Sequence, residues 1–269
     1  IFLRHGGARC ADYLTANLHR NLEAVSVADL PPVLAYFQHQ NPQWRSYTPN
    51  NLANMAIIPP ESLTSLAPLS LPERLTLGYL YTDRNLLSGS AGDDGSTAAT
   101  VLLESLDNAP FWATDRLRLT SANVGDTRII VCDAQTGKAR ELSLDHHPSD
   151  PQEYERIQHY GGYVDSDAFG EFMAMGQAAN TRSFGDRQLK SFGVLAEPTI
   201  FQNTFRRHEL AFMVLVTDGI TSVLDNQSIV DLIRPYRDPT QAAIAVVNAA
   251  EKSGSSDNMT AMVVALPGW

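Results

Sequence analysis

Seven consecutive apolar residues, Leu210 to Val216, run into Thr217-Asp218-Gly219-Ile220. An unbroken apolar run of this length, stopped by a glycine turn, predicts a strand buried on both faces. The chain must therefore supply apolar layers to either side of it. A carboxylate at the exit of such a strand is costly unless something pairs with it. A second aspartate, Asp257, stands in SGSSDNMTAMVVAL just ahead of another apolar strand, Met259 to Leu266. Either aspartate alone reads as a turn cap. Two at the ends of two core strands suggest a hard-cation site with oxygen ligands.

Length and charge narrow the classes. At 269 residues the chain has ample material for a core. Its formal net charge of -10 argues against a nucleic-acid partner, which would call on a basic surface. No apolar run approaches the roughly 20 residues of a membrane helix. Cys10 and Cys132 are too few for a disulfide framework and suggest a reducing, intracellular setting. The start, Ile-Phe-Leu, has neither Met nor a targeting pattern, so the chain reads as part of a longer gene product.

Along the chain, Ala11, Leu14, Leu18 and Leu22 predict an amphipathic helix just after Arg4-His5-Gly6-Gly7. Residues 26–72 hold eight of the fifteen prolines. They read as an insertion with little regular structure beyond a short helix near Val33 to His39, a surface excursion. A helix follows over Pro72 to Leu87. Small residues Gly95 to Ala98 then lead into a strand, with Asp93 and Asp94 read as a solvated turn in preference to extra metal ligands. Residues 116–144 predict a meander with Gly125-Asp126 at one turn. Asp150-Pro151-Gln152-Glu153 has capping-box spacing. VDSDAFGEFMAMGQAAN reads as a flexible loop, and Arg182, Asp186 and Lys190 as surface charges around a Gly185-Asp186 turn. Two helices precede the Asp257 loop, from Asp225 through Ile233 and from Asp238 to Gly254.

HGGARCADYL, DGSTAATVLL, ANVGDTRIIV, LSLDHHP, ERIQHYGGYV, TRSFGD, Glu197-Pro198, VLVTDGI and SSDNMTAMVV occur in this order. The order resembles the metal-dependent type 2C (PPM-type) protein serine/threonine phosphatases, with wording nearest a fungal, mitochondrial-type branch. The resemblance covers nearly everything outside 26–72. It implies an α+β fold in which a sandwich of two antiparallel β-sheets is flanked by helix pairs, in four αββα layers. It also implies one domain over 1–269, lacking its first strands, with 26–72 inserted in it. Asp218 and Asp257 would hold a pair of Mn²⁺ or Mg²⁺ ions, with Asp126 beside a weaker third, and Gly219 and Asn258 would shape the loops. His5 would protonate the leaving hydroxyl of a phosphoserine or phosphothreonine attacked by a metal-activated water. The partner would be a phosphoprotein, with no nucleic acid and no membrane insertion, in the mitochondrial matrix or cytoplasm.

One motif departs from the family. Leu3-Arg4-His5-Gly6-Gly7 stands where the family reads Asp-Gly-His-Gly-Gly. Leu3 thus replaces a carboxylate shared by both core metals, and Arg4 sets a guanidinium beside them. Ser222 stands where a further acidic residue is frequent. The resemblance implies a phosphatase. The departure implies an alternative, a catalytically impaired phosphoprotein-binding or regulatory module in which Arg4 and His5 grip phosphate without cleaving it.

Overall fold

The structure, a computed structural model, describes residues 1–40, 44–45, 47–56, 68–167 and 170–269. Its strands in chain order are β1 (Arg4–His5), β2 (Gly95–Ser96), β3 (Ala98–Ser105), β4 (Arg116–Val124), β5 (Arg128–Asp133), β6 (Ala139–Glu141), β7 (Val164–Ser166), β8 (Phe172–Ala174), β9 (Phe184–Gly185), β10 (Thr199–Arg206), β11 (Leu210–Val216) and β12 (Ala261–Ala265). Its longer helices are α1 (Arg9–Ala24), α2 (Leu30–Gln38), α3 (Leu71–Leu87), α4 (Pro151–His159), α5 (Asn226–Ile233) and α6 (Pro239–Lys252). Contacts divide the chain into two compact units. One is Ile1, Ala99–Asp145 and Thr199–Trp269; the other is Phe2–Ala98 and His146–Pro198.

The first unit is built from two antiparallel sheets, ordered β10-β4-β3 and β12-β11-β5-β6. The seven-residue apolar run forms β11, paired on one side with β12 and on the other with β5. Side chains alternate across a strand, and both faces of β11 are used. Met213 and Leu215 join Ile129 and Val131 of β5 and Leu117, Leu119 and Phe205 of the other sheet in one core. Phe212, Val214 and Val216 face the opposite way, with Ile130 and Cys132, against Ile229, Ile233, Ala242 and Val246 of α5 and α6. Each such fully buried side chain contributes about 1.5–3 kcal/mol. This produces sheet on sheet with a helix pair covering the second sheet, the mixed α+β class expected. Asp225 and Asp238 cap α5 and α6, accepting from Ser228 N and Thr240 N.

In the second unit α1 packs on α3. Gly78 permits the approach: a Cβ there would lie 2.6 Å from Leu22 Cδ2 and 3.3 Å from its Cα. Ser70 and Glu73 form a capping box at the start of α3. Two expectations are corrected in this unit. The Pro-rich stretch is no surface excursion, because Leu30, Val33, Phe37, Trp44, Tyr47, Leu52 and Met55 form much of one core with Leu77, Leu80 and Tyr160. Helical turns over 27–38 and 50–56 carry most of these side chains, and Trp44 packs at a tilt on Tyr160, with centroids 4.6 Å apart. Parts of that stretch, 41–43, 46 and 57–67, lie outside the described residues. The supposed loop after Tyr163 pairs β7 with β8 in a hairpin, although 168–169 at its tip lie outside the described residues as well. No helix among the described residues is long and apolar enough to cross a membrane.

Candidate active site

In the second unit, three two-residue strands in the order β1-β2-β9 set His5 opposite Gly95 and Gly95 opposite Gly185. His5 Nε2 and Asp186 Oδ2 are 2.7 Å apart. They meet over Gly95, where a Cβ would fall 1.8 Å from His5 Nε2 and 2.4 Å from the Asp186 carboxylate oxygens. Ser183 Oγ donates to the same Asp186 oxygen. Asp94 is no solvated turn residue. It is buried, and Arg9 donates to it from the backbone N, Nε and Nη2 at 3.0, 3.1 and 2.7 Å. These guanidinium hydrogen bonds hold the Asp94 carboxyl below its ordinary range against a partial desolvation. Arg4 is exposed on β1.

The turn carrying Asp186 is held from beneath. Lys190, expected at the surface, is buried, and its Nζ lies 2.8 Å from Asp83 Oδ2 while donating to Ser183 O at 2.7 Å. Asp83 Oδ1 accepts from Gly185 N at 2.8 Å. Arg182, at the head of the same segment, forms a fork with Glu153, Nη2 to Oε1 at 2.6 Å, and donates to Glu197 O. Arg156 also reaches Glu153, at 2.6 Å. Glu153 does not close the expected capping box. Asp150 alone caps α4, accepting from Gln152 N and Glu153 N, which leaves the glutamate free to point inward.

The sequence-predicted aspartates lie in the first unit. Arg128 of β5 pairs with Val216 of β11. Asp126 and Asp218, each two residues past that pair, leave the neighbouring strands at the same sheet end. Asp257 approaches too, since a Cβ on Gly219 would lie 3.3 Å from Asp257 Cβ and 2.5 Å from Asn258 O. Ser255 Oγ donates to Gly219 O at 2.6 Å, tying the two loops. Asp218 Oδ1 accepts from Gly219 N, and Asp257 Oδ1 from Asn258 N. Carboxylate oxygens in this number suit a hard divalent cation rather than zinc. As a ligand set they are incomplete: among the described residues no three His, Cys, Asp or Glu side chains group closely enough to hold an ion.

Sequence reasoning passed over Arg9–Asp94, Asp83–Lys190 and the Glu153–Arg182 fork. Only the last left a trace, an acidic residue at a helix N3 position whose partner was sought in the wrong place.

The protein phosphatase 2C family profile matches residues 33–259. Among curated proteins, the chain is similar to protein phosphatase 2C homolog 4 of Schizosaccharomyces pombe, 32% identical over 281 residues, covering 100% of this chain and 70% of that protein. It is similar to the mitochondrial protein phosphatase 1K of Xenopus laevis at 37% over 191 residues, 71% of this chain and 47% of that one. Thus the chain spans about half the length of the Xenopus relative. Among solved structures, a C. elegans sex determining protein superposes with a TM-score of 0.69 at 20% identity, over 98% of this chain and 55% of that one. The serine-threonine phosphatase 2C of Toxoplasma gondii does so at 0.63 and 21%, over 98% and 83%. At these identities the structural likeness is one of fold.

Proposed function

The chain belongs to the protein phosphatase 2C family, and from that premise we propose that it hydrolyses phosphoserine and phosphothreonine in protein substrates. The observation that carries the reading is the approach of the Asp257 loop to Gly219, next in the chain to Asp218, at the end of the central sheet. Asp218 and Asp257 would hold Mn²⁺ or Mg²⁺, with Asp126 serving a weaker third ion. When bound there, such ions supply charge neutralisation for phosphate and lower the pKa of water. Gly219 and Asn258 keep the loops in contact, because no side chain fits at 219. Arg4, exposed on its strand, binds phosphate oxygens. His5 gives its proton to the serine or threonine oxygen as the P–O bond breaks, a step suited to an imidazole near neutral pH.

A second reading, an impaired phosphoprotein-binding module, rests on Leu3 and Arg4 in place of the family's Asp and Gly. The family matches favour the phosphatase. A mitochondrial location, carried by the name of the Xenopus relative, belongs to the same proposal and is checked by cell fractionation.

Phosphate release from a phosphothreonine peptide in Mn²⁺ tests the reading. Chelator-sensitive turnover is expected, and His5→Gln should lower it by about 10²–10⁴-fold. Turnover that survives chelation, or none at all in Mn²⁺ or Mg²⁺, would overturn it.

A further inference from the structure

Asp186 has no part in the chemistry above, yet its carboxylate meets His5 directly. We propose that Asp186 is a positioning residue for His5, fixing the ring and its Nε2 proton through the 2.7 Å contact across Gly95. The inference rests on the reading of His5 as the proton donor.

The contact is built to keep a charge beside the imidazole. Asp186 exposes 12% of its side chain and His5 40%, so the carboxylate is shielded while the ring keeps a path to solvent. Burial disfavours the Asp186 charge, but the His5 hydrogen bond, the charge of His5, the Ser183 hydroxyl and the Lys190 charge together outweigh it, and its pKa is lowered. The carboxylate is therefore anionic across the neutral range. In a partly dry site, an anion at hydrogen-bond distance favours the protonated imidazole. It also directs Nε2–H to itself.

Neighbouring charges are already matched to one another. Asp94, adjoining Gly95, is held by Arg9 through both of its oxygens. Lys190, behind the turn, is held by Asp83. The Cys10 thiol, whose sulfur would lie 3.2 Å from a Cβ on Gly185, is pushed up by burial first and by Asp83 second, and so stays neutral. Arg4, on the same strand as His5, is exposed and screened by water. Asp186 meets the ring directly, at 2.7 Å.

The backbone is shaped to present this one side chain. Asp186 adopts left-handed φ 48° and ψ 47°, a conformation that aspartate and asparagine tolerate better than other side chains. Each adjoining peptide is anchored: Gly185 N to Asp83 Oδ1, Asp186 N to Asp94 O, and Ser183 O to Lys190 Nζ. A carboxylate held this firmly can orient a partner to the few tenths of an ångström that proton transfer demands.

Two substitutions of opposite effect make the test. The His5 ring is titrated by NMR in the unaltered protein, in Asp186→Asn and in Ser183→Ala. Asparagine suits the left-handed position, so the fold is retained, and His5 proton affinity is expected to drop about tenfold. Ser183→Ala takes a donor from the carboxylate but leaves its charge, so His5 proton affinity should rise about two- to threefold. A purely structural role would not yield opposite signs, and unchanged titrations in both variants would overturn the proposal. As a second readout, Asp186→Asn should lose about tenfold more activity on a phosphothreonine peptide than on nitrophenyl phosphate, whose leaving group needs little protonation. Equal losses on the two substrates would overturn it too. Absence of turnover in the unaltered protein would remove the phosphatase reading while the NMR titrations still decided the pairing of Asp186 with His5.

Discussion

Lys190 Nζ lies 2.8 Å from Asp83 Oδ2, with 2% and 0% of the two side chains exposed. Taking both charges out of water costs several kcal/mol per ion, so such a pair persists only when its remaining hydrogen bonds are met. Ser183 O accepts from Lys190 Nζ and Gly185 N donates to Asp83 Oδ1, and both atoms belong to the turn that presents Asp186. Burial nevertheless leaves the Asp83 pKa raised, with Lys190 working in the other direction. The pair thus converts a buried electrostatic cost into a fixed backbone at the candidate site.

Removing one partner should be far worse than removing both. Lys190→Met leaves an uncompensated buried carboxylate and is expected to destabilise the protein by about 3–5 kcal/mol in urea unfolding. Lys190→Met with Asp83→Leu should recover most of that. A single variant as stable as the unaltered chain would show that the pair is not closed in solution.

Glu153 makes a pH prediction. Burial opposes its charge, but Arg156 and Arg182 outweigh burial and hold its pKa well below the ordinary 4.5. A depressed carboxyl contributes stability that is complete above its unfolded value and is lost as pH falls below about 4.5 toward the folded value. Stability measured from pH 6 down to pH 3 should therefore decline more steeply in the unaltered protein than in Glu153→Gln, which has already lost the interaction. Parallel profiles would contradict this.

The Pro-rich stretch can be tested as core. Trp44 is fully buried and packs against Phe37, Tyr47 and Tyr160. Trp44→Ala is expected to cost about 3–5 kcal/mol. A loss under about 0.5 kcal/mol, typical of an exposed surface position, would return the segment to the status of an excursion.

The resemblance to the family, which has Asp-Gly where this chain has Leu3-Arg4, carries a prediction about metal affinity. Leu3→Asp with Arg4→Gly restores a carboxylate and removes a like charge, so Mn²⁺ titrated by calorimetry should bind at least about tenfold more tightly, the effect of roughly 1.4 kcal/mol. Equal affinities would mean that residues 3 and 4 do not face the bound ion.

Much of the fold was readable because burial periodicity is local. The strand Leu210–Val216 and the capped helices after Asp225 and Asp238 declare themselves by apolar spacing and turn residues within a dozen positions. The meander expected from Arg116 instead breaks at Gly125-Asp126, where β4 and β5 enter different sheets, because pairing partners are chosen by distant strands rather than by the turn. The Pro-rich stretch misled for a corresponding reason. Proline argues against regular structure, not against burial, and the apolar partners of Phe37 and Trp44 include Tyr160, more than a hundred positions away. Aspartates 218 and 257 were singled out as chemical from their strand ends alone, and their roles remain the proposal made above.

The amino-acid order by itself determined which segments are strands and helices, which side chains are apolar enough to seek a core, and which family the motifs belong to. Tertiary structure alone decided the charge pairing. Arg9 with Asp94, Lys190 with Asp83, Arg182 with Glu153 and His5 with Asp186 are separated by 85, 107, 29 and 181 positions. A charged side chain looks the same in the sequence whether it faces water or a partner. Its desolvation, and therefore its partner, is set only when distant segments close around it.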